Sequence, residues 1–181
     1  MKASFTTAVV ALSLLSTHTA LAGGESGLYI GGGVGQSTIT AEGDVPGGGD
    51  FSGNSGAWKA IVGYNFGVVP LIDLAVEGSY VDMGSPTDGS AEITMTGWDA
   101  FGLAGFNLGP VGLFAKAGAI RWDTDLADSG INYSSSGTDA AYGLGARIQI
   151  FSITGRAEVE YFDVNDLSDA YMVSVSALYT F

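Results

Sequence analysis

Residues 171–181, Tyr-Met-Val-Ser-Val-Ser-Ala-Leu-Tyr-Thr-Phe, constrain the fold more than any other stretch of the chain. Tyr171, Val173, Val175, Ala177, Tyr179 and Phe181 are apolar or aromatic, and of the residues between them Ser174, Ser176 and Thr180 carry hydroxyls. A period of two held over this length is a β-strand with one oily and one mixed face. Strands of soluble domains average about 5–6 residues, whereas about 9–11 cross a bilayer at a tilt. The competing structure is an edge strand of a soluble sandwich, and the rest of the chain decides between the two.

The first residues set the compartment. Met1-Lys2 is a short basic start, Ala8 to Leu15 is apolar but for Ser13, and Ala20-Leu21-Ala22 has the small residues of a cleavage site. This predicts a signal peptide over residues 1–22 and a barrel domain over 23–181. The apolar run is too short to span a membrane as a helix, and no later run supplies the 18 or so residues needed. The chain has no cysteine and a net charge of −13, one unit more negative once Lys2 is removed. A disulfide-stapled module, a zinc–thiolate site and a cysteine nucleophile are thereby excluded, and nucleic acid is excluded as a partner because its phosphates need a basic surface. The 29 glycines and four prolines suit β-structure whose chains approach closely.

Seven further alternating segments precede the last one. Gly27–Ser37 sets Leu28, Ile30 and Val34 against Tyr29, Gly31, Gly33 and Gly35. Its glycines do not form a dinucleotide loop, because the third required position is Gln36 and no helix follows. They are read as small residues relieving a narrow interior. Gly56–Phe66 alternates around Lys59, Ile72–Tyr80 around Asp73 and Glu77, and Val111–Trp122 around Lys116. Asp139–Phe151 carries Arg147, and the seventh segment carries Arg156, Glu158 and Glu160. Ile93–Phe106 is the fourth strand, with its faces left open because Trp98 to Leu103 reads in either register. Residues 38–55 and 123–138 and the stretch after Val81 are polar and predicted to be long loops. Short turns of three or four residues fall near Gly67–Pro70, Asn107–Pro110 and Ser152–Thr154. Long and short connections alternate, as in a membrane meander with tight turns on one side. The expected fold is all-β, an eight-stranded antiparallel up-and-down transmembrane β-barrel.

Charge placement sets which face is outside. Lys59, Asp73, Glu77, Arg147, Arg156, Glu158 and Glu160 all lie opposite apolar faces. In water those faces would form a band well beyond the few hundred Å² that soluble monomers expose. A cation facing lipid at mid-membrane costs about 2–4 kcal/mol. Lys59, Lys116, Arg147 and Arg156 are therefore placed in the lumen with Glu77, Glu158 and Glu160, as a plug of crossed ion pairs. Turning Lys116 inward also turns Trp122 in and Arg121 out, unless a bulge past Gly118 resets the parity; the sequence leaves both open. Trp58, Tyr80, Trp98, Trp122, Tyr142, Tyr161 and Tyr171 near the long loops, and Tyr64, Phe66, Phe106, Phe151, Tyr179 and Phe181 near the short turns, read as two interfacial girdles.

The closing strand, with its terminal aromatic and Tyr two residues earlier, resembles the end of bacterial outer-membrane barrels. The runs YGLGARIQIF–SIT–GRAEVEYFDV and LAVEGSYVDMG resemble the OmpA/OmpX-like small outer-membrane β-barrels. The likeness spans Leu28–Phe181. It implies placement in the bacterial outer membrane, and Lys116, Arg147, Glu158 and Glu160 resemble the family's interior salt-bridge positions. Nothing after Phe181 corresponds to the peptidoglycan-binding domain of larger relatives.

No catalytic residues are assigned. The single histidine, His18, lies in the segment expected to be removed, which leaves no usual general base. The expected role is a non-enzymatic envelope scaffold or surface protein with acidic extracellular loops; the alternative is a narrow or gated pore. Those loops hold Glu42, Asp44, Asp50, Asp82, Asp88, Glu92, Asp123, Asp125, Asp128, Asp163, Asp166 and Asp169. Asp123-x-Asp125-x-x-Asp128 departs from a calcium loop at Ala127, so no metal or cofactor is assigned. The expected partners are outer-membrane lipid and lipopolysaccharide, and the barrel-insertion machinery through the C-terminal strand; adhesion to a surface ligand rests on analogy alone.

Overall fold

The computed structural model describes residues 26–41, 51–69, 71–88, 91–128, 131–164 and 169–181. The signal segment and its cleavage position after Ala22 lie outside them. The described strands are β1 (Gly27–Ala41), β2 (Phe51–Val69), β3 (Ile72–Asp82), β4 (Ala91–Leu108), β5 (Val111–Asp128), β6 (Ile131–Ile150), β7 (Ile153–Asp163) and β8 (Asp169–Thr180). A two-residue ladder, Thr87–Asp88, pairs with the start of β4. Every strand is antiparallel to its chain neighbours, and β1 pairs with β8 to close the barrel.

Following the register once around fixes the stagger. The line runs Leu28, Tyr64, Val76, Gly102, Ala117, Tyr142, Tyr161, Tyr171 and returns to β1 at Thr38. It comes back ten residues further on, from 28 to 38. Eight strands with such a stagger tilt roughly 35–45° from the axis and leave room for side chains and little else. The short connections hold two residues each rather than three or four, because the ladders run right up to the turns. Gly109 (φ 66°) and Phe151 (φ 55°) supply the left-handed residue in two of them. The chain end is tied in where Phe181 N–H donates to Leu28 O at 2.9 Å.

The strands outrun the membrane. The 20 residues of β6 extend about 65 Å along the chain at roughly 3.3 Å each. At this tilt that is about 45–55 Å of height, against an apolar belt about 25 Å tall. Most of 38–41, 51–55 and 123–138, expected as loop, is therefore strand. After β3 the chain folds back over the rim. Met83 and Pro86 are buried there, held by Ser37 Oγ–H to Met83 O (2.6 Å) and Ile93 N–H to Pro86 O (3.1 Å).

Polarity reverses along the axis. Between the two aromatic bands the outward side chains include Ile30, Val34, Val62, Leu74, Val76, Leu113, Leu144, Val159, Val173 and Val175, all exposed. The inward ones at that height include the buried charges Lys59, Glu77, Lys116, Arg156, Glu158 and Glu160. Toward the long-loop end the outward positions become Thr138, Ser134, Asp123, Asp125 and Asp163, and the inward ones become Ile39, Val81, Met83, Met95, Ile120, Phe162 and Met172. That end is built like a water-exposed barrel with an oily core. It reads as loop in sequence because its outer face carries turn-type residues.

Candidate functional site: the lumenal charge network

The inward faces of β2, β3, β5, β6 and β7 supply long charged side chains, three of them from β7, and small residues opposite make room for them. A Cβ on Gly143 would lie 2.9 Å from both Cγ and Cε of Lys116, and the Tyr29 ring lies over Gly63. Parity is unbroken through β5, with no bulge past Gly118. Lys116 and Trp122 consequently both face in and Arg121 faces out. Trp122 is thus removed from the outer girdle: it is 3% exposed and donates Nε1–H to Asp139 Oδ2 at 2.6 Å. In β4 the odd-numbered residues face inward, which puts Asp99, Phe101 and Leu103 in the lumen and Trp98 outside.

Six of the seven singled-out charges form one connected cluster. Lys59 Nζ lies 2.7 Å from Glu158 Oε2 and 2.6 Å from Glu160 Oε2. Lys116 Nζ lies 2.6 Å from Glu160 Oε1, 3.0 Å from Glu158 Oε2 and 3.5 Å from Glu77 Oε1. Arg156 forks onto Glu77 at 2.7 and 3.2 Å and also pairs with Glu158. Tyr29 O–H donates to Glu77 Oε2 at 2.9 Å. Three cations thus meet three carboxylates. Pairing of this density is what allows charge to persist away from water. Phe101 and Phe114 lie beneath Lys116 Nζ and the Arg156 guanidinium, at 4.4 and 5.0 Å from ring centre, and add cation–π attraction.

Arg147 stands apart. It pairs with Asp73 and donates Nη2–H to Asn107 Oδ1 at 2.7 Å, near the short-turn mouth. The buried side chains Leu103, Phe114 and Leu178 line the recess between this group and the cluster. Sequence reasoning did not single out Asp99. Ser79 N–H (3.0 Å) and its hydroxyl both donate to Asp99 Oδ1, while Oδ2 has no partner. The signal was an acid at an inward position, hidden by the ambiguous register of β4. Among the described residues no group of three or more acids or histidines is placed to hold a metal ion.

The girdles are visible as ring contacts. Trp58, Tyr80 and Trp98 make a chain with centroids 5.5 and 5.1 Å apart, and Tyr64–Phe66 and Tyr179–Phe181 pair at 5.2 and 5.1 Å at the other end.

Residues 7–181 match the family described as outer membrane protein beta-barrel domain. The chain belongs to that family. Solved structures with the same fold include Ail, the attachment invasion locus protein of Yersinia pestis, at 17% identity and a TM-score of 0.58, covering 87% of this chain and 100% of that one. Neisserial surface protein A aligns at 14% identity and a TM-score of 0.63, covering 88% and 99%. The N-terminal β-barrel domain of Pseudomonas aeruginosa OprF aligns at 13% identity and a TM-score of 0.56, covering 87% and 99%. No curated protein matches. The family and the fold place the chain in the bacterial outer membrane, with its tight turns on the periplasmic side and its long connections outside.

Proposed function

We propose that this outer-membrane barrel is a non-enzymatic envelope scaffold that presents an acidic outer rim, and not an open channel. The observation that carries the reading is the filling of the lumen in two layers. The ion-pair cluster occupies the membrane-depth interior. Above it Met83, Met95, Ile120, Trp122, Phe162 and Met172 close the bore with apolar side chains. A hydrated ion crossing both would have to separate paired charges and then wet an oily constriction.

The rim favours some partners over others. Asp123, Asp125, Asp163 and Asp169 point outward from the strand ends. Ail was solved with the heparin analogue sucrose octasulfate. This chain, with a net charge of −13, is poorly suited to such a polyanion at its loops. Lipid and lipopolysaccharide surround the belt in this reading, and the Tyr179–Phe181 end of β8 is the segment offered to the insertion machinery.

Planar-bilayer recording tests the proposal. The wild-type protein is expected to give no steady conductance, and Glu77→Ala, which takes away the Tyr29 acceptor and one of the two Arg156 partners, is expected to stay closed because the apolar layer remains. A second reading, a narrow or gated pore, draws on the charged lining of the lumen. Conductance that rises in Glu77→Ala would favour it and overturn the scaffold.

A further inference from the structure

The strands do not all reach the same height. β5 and β6 pair along their whole length, from Val111–Ile148 up to Asp128–Ile131. β7 follows β6 only as far as Asp163, which pairs with Ala140. Above that point, among the described residues, β6 has a strand on one side only. Gln149 N–H donates to Pro110 O at 2.8 Å, on the β5 side. Alternate residues of a strand turn their N–H and C=O to opposite sides, and the β5–β6 ladder runs to Ile131 without a shift. Odd-numbered residues of β6 therefore bond to β5. Asn132, Ser134, Ser136 and Thr138 turn their main-chain donors and acceptors to the open side, over about 20 Å at roughly 3.3 Å per residue.

Exposed edges are ordinarily blunted by a charge, a proline or a bulge, because an unpaired ladder recruits another strand. Residues 131–138, Ile-Asn-Tyr-Ser-Ser-Ser-Gly-Thr, carry neither charge nor proline, and their ladder with β5 has no bulge. The wall beside this edge is acidic. Asp123 and Asp125 of β5 are exposed on the outer face directly across from Ser136 and Ser134, and Asp163 is exposed at the foot of the edge. The two serines are short, so a long cationic side chain on an added strand can cross them, a distance of about two strand spacings or 10 Å. Arg121, across from Thr138, is the only outward cation among the described residues.

We propose that this edge of β6 binds an extended cationic peptide segment by strand addition. The added main chain completes the ladder at Asn132–Thr138, and its alternate basic side chains reach Asp123, Asp125 and Asp163. Main-chain pairing supplies the affinity and the alternate side chains supply the selectivity. A second copy of this chain fits less well, because it would bring two acidic walls together. The inference takes its acidic rim from the scaffold reading and adds the chemistry of the partner. A conducting barrel would leave it standing, since peptide binding and conductance are read separately.

The test uses the full barrel in zwitterionic micelles and a labelled synthetic peptide alternating lysine and threonine. One control peptide replaces the lysines by glutamate; the other replaces the threonines by proline, which keeps the charge and removes strand pairing. The lysine–threonine peptide is expected to bind, by fluorescence anisotropy, and to slow amide hydrogen exchange at Asn132, Ser134, Ser136 and Thr138. Ser136→Pro, which deletes one open-side donor and spares the β5 ladder, is expected to weaken binding roughly two- to tenfold. Asp123→Asn/Asp125→Asn is expected to weaken it roughly two- to fivefold and to flatten its salt dependence. Unheated electrophoretic mobility checks that both variants are folded. Equal binding of either control peptide, or binding without exchange protection along this edge, overturns the proposal, as does no binding at all. Protection that grows with protein concentration in the absence of peptide would make the partner a second copy and overturn the peptide assignment.

Discussion

Lys116 Nζ on β5 reaches Glu160 Oε1 on β7 at 2.6 Å, across the width of the intervening strand β6. Both side chains are buried, and Gly143 of β6 lies between them in place of a larger residue. Removing Lys116 leaves three carboxylates to two cations in a dry interior, a cost of about 3–5 kcal/mol. Lys116→Met should lower the unfolding free energy of the micelle-folded barrel, measured by urea titration, by that much. Lys116→Met/Glu160→Gln, which restores the charge match, should recover most of the loss. A double variant no more stable than the single one would mean that the network is not held together by its charge balance.

Asp99 makes the opposite case. The cluster balances without it, and its Oδ2 has no partner while Oδ1 takes both Ser79 donors. Asp99→Asn keeps the acceptor for Ser79 and removes the unpaired charge. Its unfolding free energy should match or exceed wild type, whereas Ser79→Ala should cost about 1 kcal/mol through the lost hydroxyl donor. A loss above about 2 kcal/mol in Asp99→Asn would show that the carboxylate is needed as a charge.

The three tryptophans report on the two faces of the wall. Trp98 is 66% exposed on the outer wall and Trp58 is outward too, while Trp122 is enclosed with its indole N–H on Asp139. In single-tryptophan variants reconstituted with brominated lipids, Trp58 and Trp98 fluorescence should be strongly quenched and that of Trp122 nearly untouched. Equal quenching at Trp122 would require a parity break in β5.

The parts of this architecture that show in sequence are those where the two faces differ in kind. β3, β7 and β8 alternate charge or hydroxyl with aliphatic side chains through the membrane, so their registers can be read directly. β4 could not be read, because Ala100, Gly102 and Ala104 outside face Gly97 and Gly105 inside, and small residues fit both environments. The partners within the lumen were illegible for a different reason. Inward orientation follows from parity, but whether Arg147 meets Glu158 or Asp73 depends on the ten-residue stagger around the barrel, which no single strand records. Trp122 misled because an aromatic near a strand end looks the same from either side of the wall.

The extracellular reversal of polarity has its own consequence. Ile120 is fully buried and points inward four residues beyond Lys116 on the same face of β5, while Thr138 points outward across from Arg121. If this end of the barrel had a wet lumen, a carboxylate at either position would be tolerated. With an oily core, Ile120→Asp would bury an uncompensated charge beside two further carboxylates, Asp99 of β4 and Asp139 of β6, its register partners, and should cost more than about 3 kcal/mol. Thr138→Asp, facing water, should stay within about 0.5 kcal/mol of wild type. Urea titration in micelles measures both, and the unheated electrophoretic mobility checks that each variant folds. Tolerance of Ile120→Asp would mean that water reaches the upper lumen, and the apolar layer would no longer account for a closed bore.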